Sequence, residues 1–577
     1  MKKLLLFSVL FAFAISVNVN AQSRGAVKGE RKFIQNKVES IKQSADPTCS
    51  TFRPFKPANV LGTTSRDLFK IPVGSSYNPY SLLVEESTAL TYNADVNMIM
   101  FTFRQCSTYP DYSGGANHSG YIQSSFSIDG GMVFDSSLVI YDDYTGTINA
   151  GRYPSGVIYN PPGNTDPYEA YSLICGPFLV DTYPGSGSWD GNYFASMKID
   201  STNGNIQKVF YDDPDVHMEF ARRFLTACDD GTFHVYAWDL TDDGTWYTDI
   251  ETILNDGVWD ADDNSVEWTR QEVIPEYTEN SQGQLNGGVF PGYAWSKDGQ
   301  VGYLVYCGNH DDSPDLVTWS PFVYKTENGG EDWDLMDVFD FREIPTIYDS
   351  LFPVSGSSGD KRPFINNPSD VLVDANGMLH YLTYIRSAYS NDPDSIRYYW
   401  GFENIEGILY DLYTTPDGGW DALAIDFVLA KNVDAANDPL GIGYSARPQM
   451  AKTSDGSKIF YVWMDTDPAL SDLNLYPDIV ARSMDVNIPA STYTKNITYL
   501  TQFWALDNYY MYCSDYALDN GDGTYSVPVT TTRLGETDLS PVYHSLLHGV
   551  DFTDAEYVIV GIDEKIEFNQ ISNVSQN

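Results

Sequence analysis

Three oxygen-bearing side chains at alternate positions, Asp260, Asp262 and Asn264, stand in the run from Trp259 to Ser265. Alternating carboxylates and amides are what a calcium loop presents to a hard cation. An EF-hand would carry Gly where Ser265 stands and Glu where Gln271 stands, so that loop type is excluded. A looser calcium site and a solvated acidic turn both stay open, and calcium is the one cofactor the sequence admits. Asp212-Asp213-Pro214-Asp215 offers the same two readings. The seven histidines are His118, His217, His234, His310, His380, His544 and His548. Only His544 and His548 are one helical turn apart, and no Glu follows His544, so the zincin pattern is absent. No Gly-Xaa-Ser-Xaa-Gly elbow in a strand–helix context and no phosphate-binding loop occurs.

The six cysteines are Cys49, Cys106, Cys175, Cys228, Cys307 and Cys513, and no pair has the close spacing of a zinc or redox motif. Cys175 and Cys307 sit in apolar strand-like runs, where a buried thiol fits as well as a disulfide. Arg152, Arg223, Arg362 and Arg447 lie near the starts of strand patterns, among many carboxylates that could pair with them. Trp189, Trp246, Trp259 and Trp268 stand in or near polar loops. Exposed, such rings suit sugar or protein contact; buried, they plug the space between sheets.

These residues need positioning, and the chain is written for strands and turns. Its 45 Gly, 42 Tyr, 29 Phe and 12 Trp put aromatic content at 14%, a composition of β-sheet and tight turn. An Asp/Asn-Gly turn followed by an alternating aromatic and β-branched strand recurs at Asp230-Gly231, Asp298-Gly299, Asn376-Gly377 and Asp455-Gly456. The glycines are 68, 78 and 79 residues apart, a period that fits repeated four-stranded units with loop insertions. His234 and His380 hold equal places in two of these phrases, which points to packing. Arg362-Pro363 and Arg447-Pro448 are expected to end an incoming strand before the Asp/Asn-Gly turn opens the next.

A second device appears twice. Ser127, Asp129, Gly131 and Phe134 have the same spacing as Thr326, Asn328, Gly330 and Trp333. The Asp/Asn side chain bonds backbone N–H groups, Gly takes the positive-φ position, and the aromatic pins the turn onto its sheet. Partial copies follow at Thr415-Pro-Asp417-Gly-Gly419-Trp420 and Thr453-Ser-Asp455-Gly-Ser457. The unit resembles the Asp-box, or BNR repeat, of β-propellers, the sialidase-like ones included. The resemblance implies an all-β fold, a single propeller of about seven four-stranded blades, with six or eight also fitting.

In sialidase-like enzymes three arginines grip a carboxylate, a Tyr helped by Glu attacks, and an Asp serves as acid/base. The resemblance makes Arg152, Arg223, Arg362 and Arg447 candidates for that grip. Phe341-Arg342-Glu-Ile-Pro345 echoes the family's Arg-Ile-Pro signature, but a Glu interrupts it and it follows the second full box, whereas the family's signature precedes the boxes.

The ends suggest an address. Met1-Lys2-Lys3, an apolar run from Leu4 to about Ile15, and Ala21 before Gln22 have the three parts of a secretory signal peptide. That run is too short for a permanent span, so no membrane span is expected in the mature chain. The formal net charge of −45 repels nucleic acid and anionic lipid and leaves a solvated acidic surface. The tail from Ile571 to Asn577 resembles the lead-in to the sorting module of Bacteroidota type IX secretion cargo, though the module itself is not in the sequence.

The expected organisation is a signal peptide at 1–21, an N-terminal extension at 22–60, the propeller at 61–560 and a strand or linker at 561–577. Phe33, Ile34, Val38 and Ile41 give the extension helical spacing among basic residues, so a short helix and a flexible arm both fit. The expected function is a secreted or cell-surface, non-catalytic module that binds an extracellular protein or glycan, exported via the periplasm by the type IX machinery. The expected binding residues are the four arginines with Trp246 and Trp259. The alternative is a sialidase-like glycoside hydrolase.

Overall fold

The strand Met98–Arg104 is buried at every position, and so are Gly302–Gly308, Leu379–Ala388 and Lys458–Asp465. A strand buried on both faces must belong to a sheet covered on both sides. In the computed structural model that is how the sheets sit. The structure describes residues 40–41 and 68–559, except 106–119, 135, 143–147, 182–187, 212–218, 243–246, 403–404, 436–437, 439, 489 and 500–506. The expected signal peptide, most of the extension and the C-terminal segment 561–577 lie outside the described residues.

The chain is all-β. The one described α-helix is Pro345–Tyr348, and no described helix is long and apolar enough to cross a membrane. Of the eight described sheets, seven follow one another, each built on a four-position antiparallel meander, and the eighth is a small sheet of Leu518–Asp519, Thr524–Ser526 and Asp551–Thr553. The first comprises Leu90–Asn93, Met98–Arg104, Ile122–Ser127 and Ser136–Tyr141. The second comprises Ile148–Gly151 with Ser155–Tyr159, then Tyr171–Asp181, Ser188–Lys198 and Asn205–Phe210. The third comprises Arg223–Ala227, Thr232–Asp242, Tyr247–Asp260 and Ser265–Val273. The fourth comprises Gly292–Trp295, Gly302–Gly308, Ser320–Thr326 and Asp334–Leu335. The fifth comprises Pro363–Ile365 with Asp370–Val373, then Leu379–Ala388, Gly407–Thr414 and Trp420–Val428. The sixth comprises Gln449–Lys452, Lys458–Asp465, Asp478–Asp485 and the pieces Ala490–Ser491 and Lys495–Asn496. The seventh joins the two ends of the body: Tyr509–Cys513, Val529–Arg533 and Val542–His548 are completed by Phe69–Ser76.

The innermost strands touch in sequence. Leu90–Asn93 contacts Ser155–Tyr159, which contacts Arg223–Ala227, and so on through Gly292–Trp295, Asp370–Val373, Gln449–Lys452 and Tyr509–Cys513, which returns to Leu90–Asn93. Apolar clusters fill the spaces between neighbouring sheets. Met100 packs with Ile174 between the first and second, Phe194 with Phe233 between the second and third, and Phe460 with Val529 and Leu547 between the sixth and the seventh. These clusters supply the main driving force, at roughly 25 cal/mol for each Å2 of apolar surface removed from water.

The four Asp/Asn-Gly turns all join first to second strands: residues 228–231, 296–301, 374–378 and 453–457. The turns 128–135 and 327–333 join third to fourth strands. In an antiparallel meander both kinds fall at one end. The second-to-third loops and the connectors between sheets, such as 309–319, 336–362 and 429–448, fall at the other. Arg-Pro is placed otherwise than its pattern suggests. Pro363 opens a first strand and Pro448 immediately precedes one. A first strand is a sheet edge, where the N–H that proline lacks is not missed.

Of the extension, Ser40–Ile41 is described, as a parallel pairing with Tyr399–Trp400.

Candidate functional site

The first strands of six sheets, all but the second, wall a pocket of about 110 Å3. One end is crossed by the connector 77–89, which carries Leu82-Leu83-Val84-Glu85-Glu86-Ser87-Thr88. Its apolar half is buried, and the carbonyls of Leu82, Val84, Glu85, Glu86 and Thr88 accept hydrogen bonds from the surrounding sheets. Arg447 Nη1 donates to Leu82 O at 2.5 Å, Arg447 Nη2 donates to Val84 O at 3.2 Å, and Tyr512 Oη donates to Val84 O at 3.0 Å. Gln449 Nε2 donates to Glu85 O at 3.0 Å, and Ser445 Oγ donates to the Glu85 carboxylate. From the third sheet, Phe224 N–H donates to Glu86 O at 3.0 Å and Arg223 forms an ion pair with the Glu86 carboxylate. From the second, Gly156 N–H donates to Thr88 O at 2.7 Å. The segment thus ties the second, third, sixth and seventh sheets together across the pocket.

Four carboxyls border this space: Glu85, Glu86, Asp370 and Asp515. Asp370 opens the first strand of the fifth sheet and accepts from Val371 N–H at 2.9 Å and Met450 N–H at 2.7 Å. Burial, with Asp515 and Glu86 adding, pushes its pKa up to about 7. Burial likewise pushes Asp515 up to about 6, although Lys452 opposes the rise. Lys452 Nζ donates to Val373 O at 2.7 Å, and burial lowers its pKa. Ser87, 3% exposed, is among the residues around the pocket, and its Oγ is buried with no hydrogen-bond partner.

The four arginines do not converge on an open space. Arg223 and Arg447 grip the connector from opposite sheets. Arg447 is buried at 1% exposure with its guanidinium 4.4 Å from the Tyr512 ring centroid, and Arg223 lies 4.1 Å from that of Phe290. Arg152 Nη1 donates to its neighbour Gly151 O at 2.9 Å. Arg362 is taken up at the fourth and fifth sheets, pairing with Asp360 at 3.1 Å and donating to Leu316 O and Val317 O. Arg342, in the Phe341–Pro345 echo, pairs with Asp340 at 2.6 Å. No pattern in the sequence pointed to the connector. Its one local signal is the apolar run Leu82-Leu83-Val84 ending on two acids in a loop.

The tryptophans plug. Trp259 packs 4.7 Å from Tyr159 and 4.6 Å from Tyr171, between the second and third sheets. Trp268 packs 4.6 Å from Phe194, and Trp189 4.8 Å from Phe220. Trp246 lies outside the described residues. The acidic run forms the turn between two strands of the third sheet. Asp260 Oδ1 accepts from Asp262 N–H at 2.8 Å, Asn264 adopts φ 52°, and Asn264 Oδ1 accepts from Tyr171 Oη at 2.8 Å. Among the described residues no three His, Cys, Asp or Glu side chains are grouped to share a metal ion. Asp212, Asp213 and Asp215 lie outside them.

The two repeated turns are built alike. Ser127 Oγ donates to Asp129 Oδ1 at 2.6 Å and accepts from Gly131 N–H at 2.9 Å, while Asp129 Oδ1 accepts from Met132 and Val133 N–H. Thr326 Oγ1 donates to Asn328 Oδ1 at 2.8 Å and accepts from Gly330 N–H at 3.0 Å. Phe134 packs on the cluster between the seventh and first sheets, and Trp333 lies 5.6 Å from Trp295 of its own sheet.

The histidines are tied into sheets. His234 meets Asp256 at 2.7 Å, which Tyr293 also bonds, and His380 meets Asp411 at 2.7 Å, which Tyr461 also bonds. The two thus share one packing role. His544 is held by Ser76 and Thr532, and burial lowers its pKa to about 3. His118 and His217 lie outside the described residues. Cys175, Cys228, Cys307 and Cys513 are free thiols, each raised in pKa by burial and so poor nucleophiles. Cys49 and Cys106 lie outside.

No protein-family model matches the chain, and no curated protein does. Solved structures similar to it include polysaccharide lyases, sialidases and a WD40 domain, all with low superposition scores. Polysaccharide lyase Uly1 superposes with a TM-score of 0.39 at 10% identity, covering 89% of this chain and 97% of that one. The PL25 ulvan lyase bound to -[GlcA(1-4)Rha3S]- superposes at 0.40 with 9% identity, covering 84% and 98%. A Trypanosoma rangeli sialidase mutant displaying trans-sialidase activity superposes at 0.34 with 12% identity, covering 71% and 56%.

Proposed function

We propose that the chain is an exported, non-catalytic binding module built as a closed seven-bladed β-propeller. Its seven meanders are the blades. The cyclic contact of the first strands supports closure, and so does the completion of the seventh sheet by Phe69–Ser76. The repeated turns at one end are Asp-boxes, and residues 1–21 are a signal peptide that leads the chain to the type IX route and the cell exterior. The ligand, an extracellular protein or glycan, is taken at the end that carries the long connectors, where loops are free to vary without disturbing the blades.

The observation that carries the non-catalytic reading is the occupancy of Arg223 and Arg447. An enzyme that grips a substrate carboxylate needs guanidiniums directed at open space. Here Glu86 and the carbonyls of Leu82 and Val84 already use them. A second reading, glycoside hydrolysis, draws on Asp370 and Asp515, two carboxyls with raised pKa in one pocket.

The deciding experiment incubates the mature chain with a fluorogenic sialoside and, separately, probes it on an array of defined neutral and acidic glycans. Retention of a glycan without product is the expected result. Turnover that disappears in a folded Arg447→Ala variant would establish the hydrolase instead.

A further inference from the structure

The strand that completes the seventh sheet sets a lysine against a buried amide. Lys70 lies in Phe69–Ser76 and pairs across the sheet with Leu547. Its Nζ donates to Asn508 Oδ1 at 2.9 Å and to Asp507 O at 2.6 Å. Burial lowers its pKa to about 8, although Asp507 opposes the fall, so free amine is present near neutral pH. Asn508 immediately precedes the strand Tyr509–Cys513 and is 0% exposed. Its Nδ2 donates to Pro477 O at 3.1 Å and to Thr498 Oγ1 at 3.4 Å, which holds the amide with its oxygen toward the lysine. Thr498 Oγ1 in turn donates to Asp478 Oδ1 at 2.6 Å. Asp478 is buried, and burial raises its pKa, so its carboxyl is suited to hold and release a proton. A nucleophile, an acyl group and an acid thus stand on one run of hydrogen bonds.

We propose that Lys70 and Asn508 join in an intramolecular amide bond, with Thr498 and Asp478 relaying a proton to the departing nitrogen. The free Nζ attacks Cγ of Asn508, the Cγ–Nδ2 bond breaks, and Nδ2 leaves as ammonia. Nζ gives up one proton in exchange for the one that ammonia takes, and nothing is oxidised or reduced. An amine attacks an amide very slowly in water. Held in place, such a pair gains an effective concentration of up to about 10^5–10^8 M, and partial burial leaves the lysine less solvated and more nucleophilic. Release of ammonia into solvent makes the step irreversible. The bond ties the closing strand to the lead-in of the innermost strand of the same sheet, 438 positions away in sequence. A cross-link over so long a loop restricts the unfolded chain and so favours the folded one. It concerns the body of the fold and does not depend on what the loops bind.

The test is a tryptic map of the full mature chain, denatured after incubation at pH 7 and at pH 9 and read by tandem mass spectrometry. The expected result is a branched peptide joining Lys70 to Asn508, lighter than its two parts by one ammonia, with cleavage after Lys70 lost. The branch decides, not the intact mass, because an N-terminal Gln22 also releases ammonia when it cyclises. Lys70→Arg keeps the charge and the donors but has no nucleophilic amine. It is expected to show no branch, to run more slowly on a denaturing gel than the looped parent, and to melt at a lower temperature. Followed from cell-free synthesis, the branch is expected to form at least about tenfold more slowly in Thr498→Val and at the parent's rate in Thr498→Ser. Recovery of both peptides unbranched from the parent at both pH values overturns the proposal, and so does a branch at Asn508 made by another lysine. Neither result needs a variant, so the test stands if Lys70→Arg does not fold. An unchanged rate in Thr498→Val overturns the relay.

Discussion

His380 Nδ1 stands 2.7 Å from Asp411 Oδ2, and both side chains are at most 1% exposed. Burial alone would discharge the imidazole. Asp411 and Asp374 outweigh it and raise the pKa to about 9. The folded value lies above the unfolded value of about 6.5, so the stabilisation is complete below that pH and is lost as pH rises through about 9. His544 has the opposite sign. Its folded pKa is depressed to about 3, so its contribution is present above about 6.5 and is lost as pH falls toward 3. Denaturant midpoints should therefore fall between pH 6.5 and 9.5 on account of His380, while between pH 4 and 6.5 His544 and the raised carboxyl of Asp370 act in opposite senses. His380→Gln should cost about 3–5 kcal/mol at pH 6.5, since it leaves buried carboxylates unpaired, and should flatten the alkaline limb alone. An unchanged alkaline limb would show that the pair carries no charge.

Asp370 predicts a slope in between. Its folded pKa of about 7 lies above the ordinary Asp value of 3.8, so the folded state holds the extra proton and stability falls as pH rises from about 4 through 7. Asp370→Asn removes the titration but turns an amide donor toward one of two backbone N–H groups, Val371 or Met450. The variant should be less stable than the parent at pH 5 and should recover relative to it by pH 8. Chemical denaturation across that range measures the crossover. Parallel curves would mean that Asp370 titrates normally.

Gly131 tests the repeated turn. It adopts φ 89°, and a Cβ there would lie 2.3 Å from Leu546 Cδ2 and 3.1 Å from Ile99 Cδ1. Its carbonyl also accepts from His548 Nε2 at 2.9 Å, fastening the turn of the first sheet to the seventh. Gly163 adopts φ 78° with nothing within 4 Å of its would-be Cβ. Gly163→Ala should cost only the left-handed backbone term, about 1–2 kcal/mol. Gly131→Ala adds steric overlap and should cost about 1–3 kcal/mol more. Paired thermal melts decide it, and equal losses would mean that the neighbouring sheet gives way freely.

What the sequence made legible was local. The turn at Asp230-Gly231 and its three relatives were readable because an Asx side chain and a positive-φ glycine act within five residues, and all four fall between first and second strands. The equivalence of His234 and His380 was readable for the same reason. The connector 77–89 was not, because its partners Arg447 and Tyr512 are more than 360 residues away and nothing near Glu85 announces them. Trp259 illustrates a third limit. A tryptophan among aspartates has the same composition whether its ring faces water or, as here, Tyr159 and Tyr171 of the next sheet. The Arg-Pro steps were legible as punctuation but not in their sense, since an edge strand tolerates proline at its start as readily as after its end.

The pairing of Phe69–Ser76 with Val542–His548 yields the sharpest test of closure. Phe69 registers with His548 and Ser76 with Val542, with one irregularity between Pro72 and Gly74. Ser76 Oγ also bonds His544 Nε2 at 2.7 Å, and Phe69 stacks on His548 at 4.5 Å. Removing residues 1–76 would strip the outer strand from the seventh sheet and leave Val542–His548 an open edge, with its N–H and C=O groups ready to pair with another molecule. That truncation should lose the single cooperative melt and sediment as aggregates. Removing residues 1–60 breaks only the Ser40–Ile41 pairing among the described residues, and its melt should stay within a few degrees of the parent. If both truncations melt alike as monomers, the outer strand does not latch the proposed ring, and the first and last sheets are held together by side-chain packing alone.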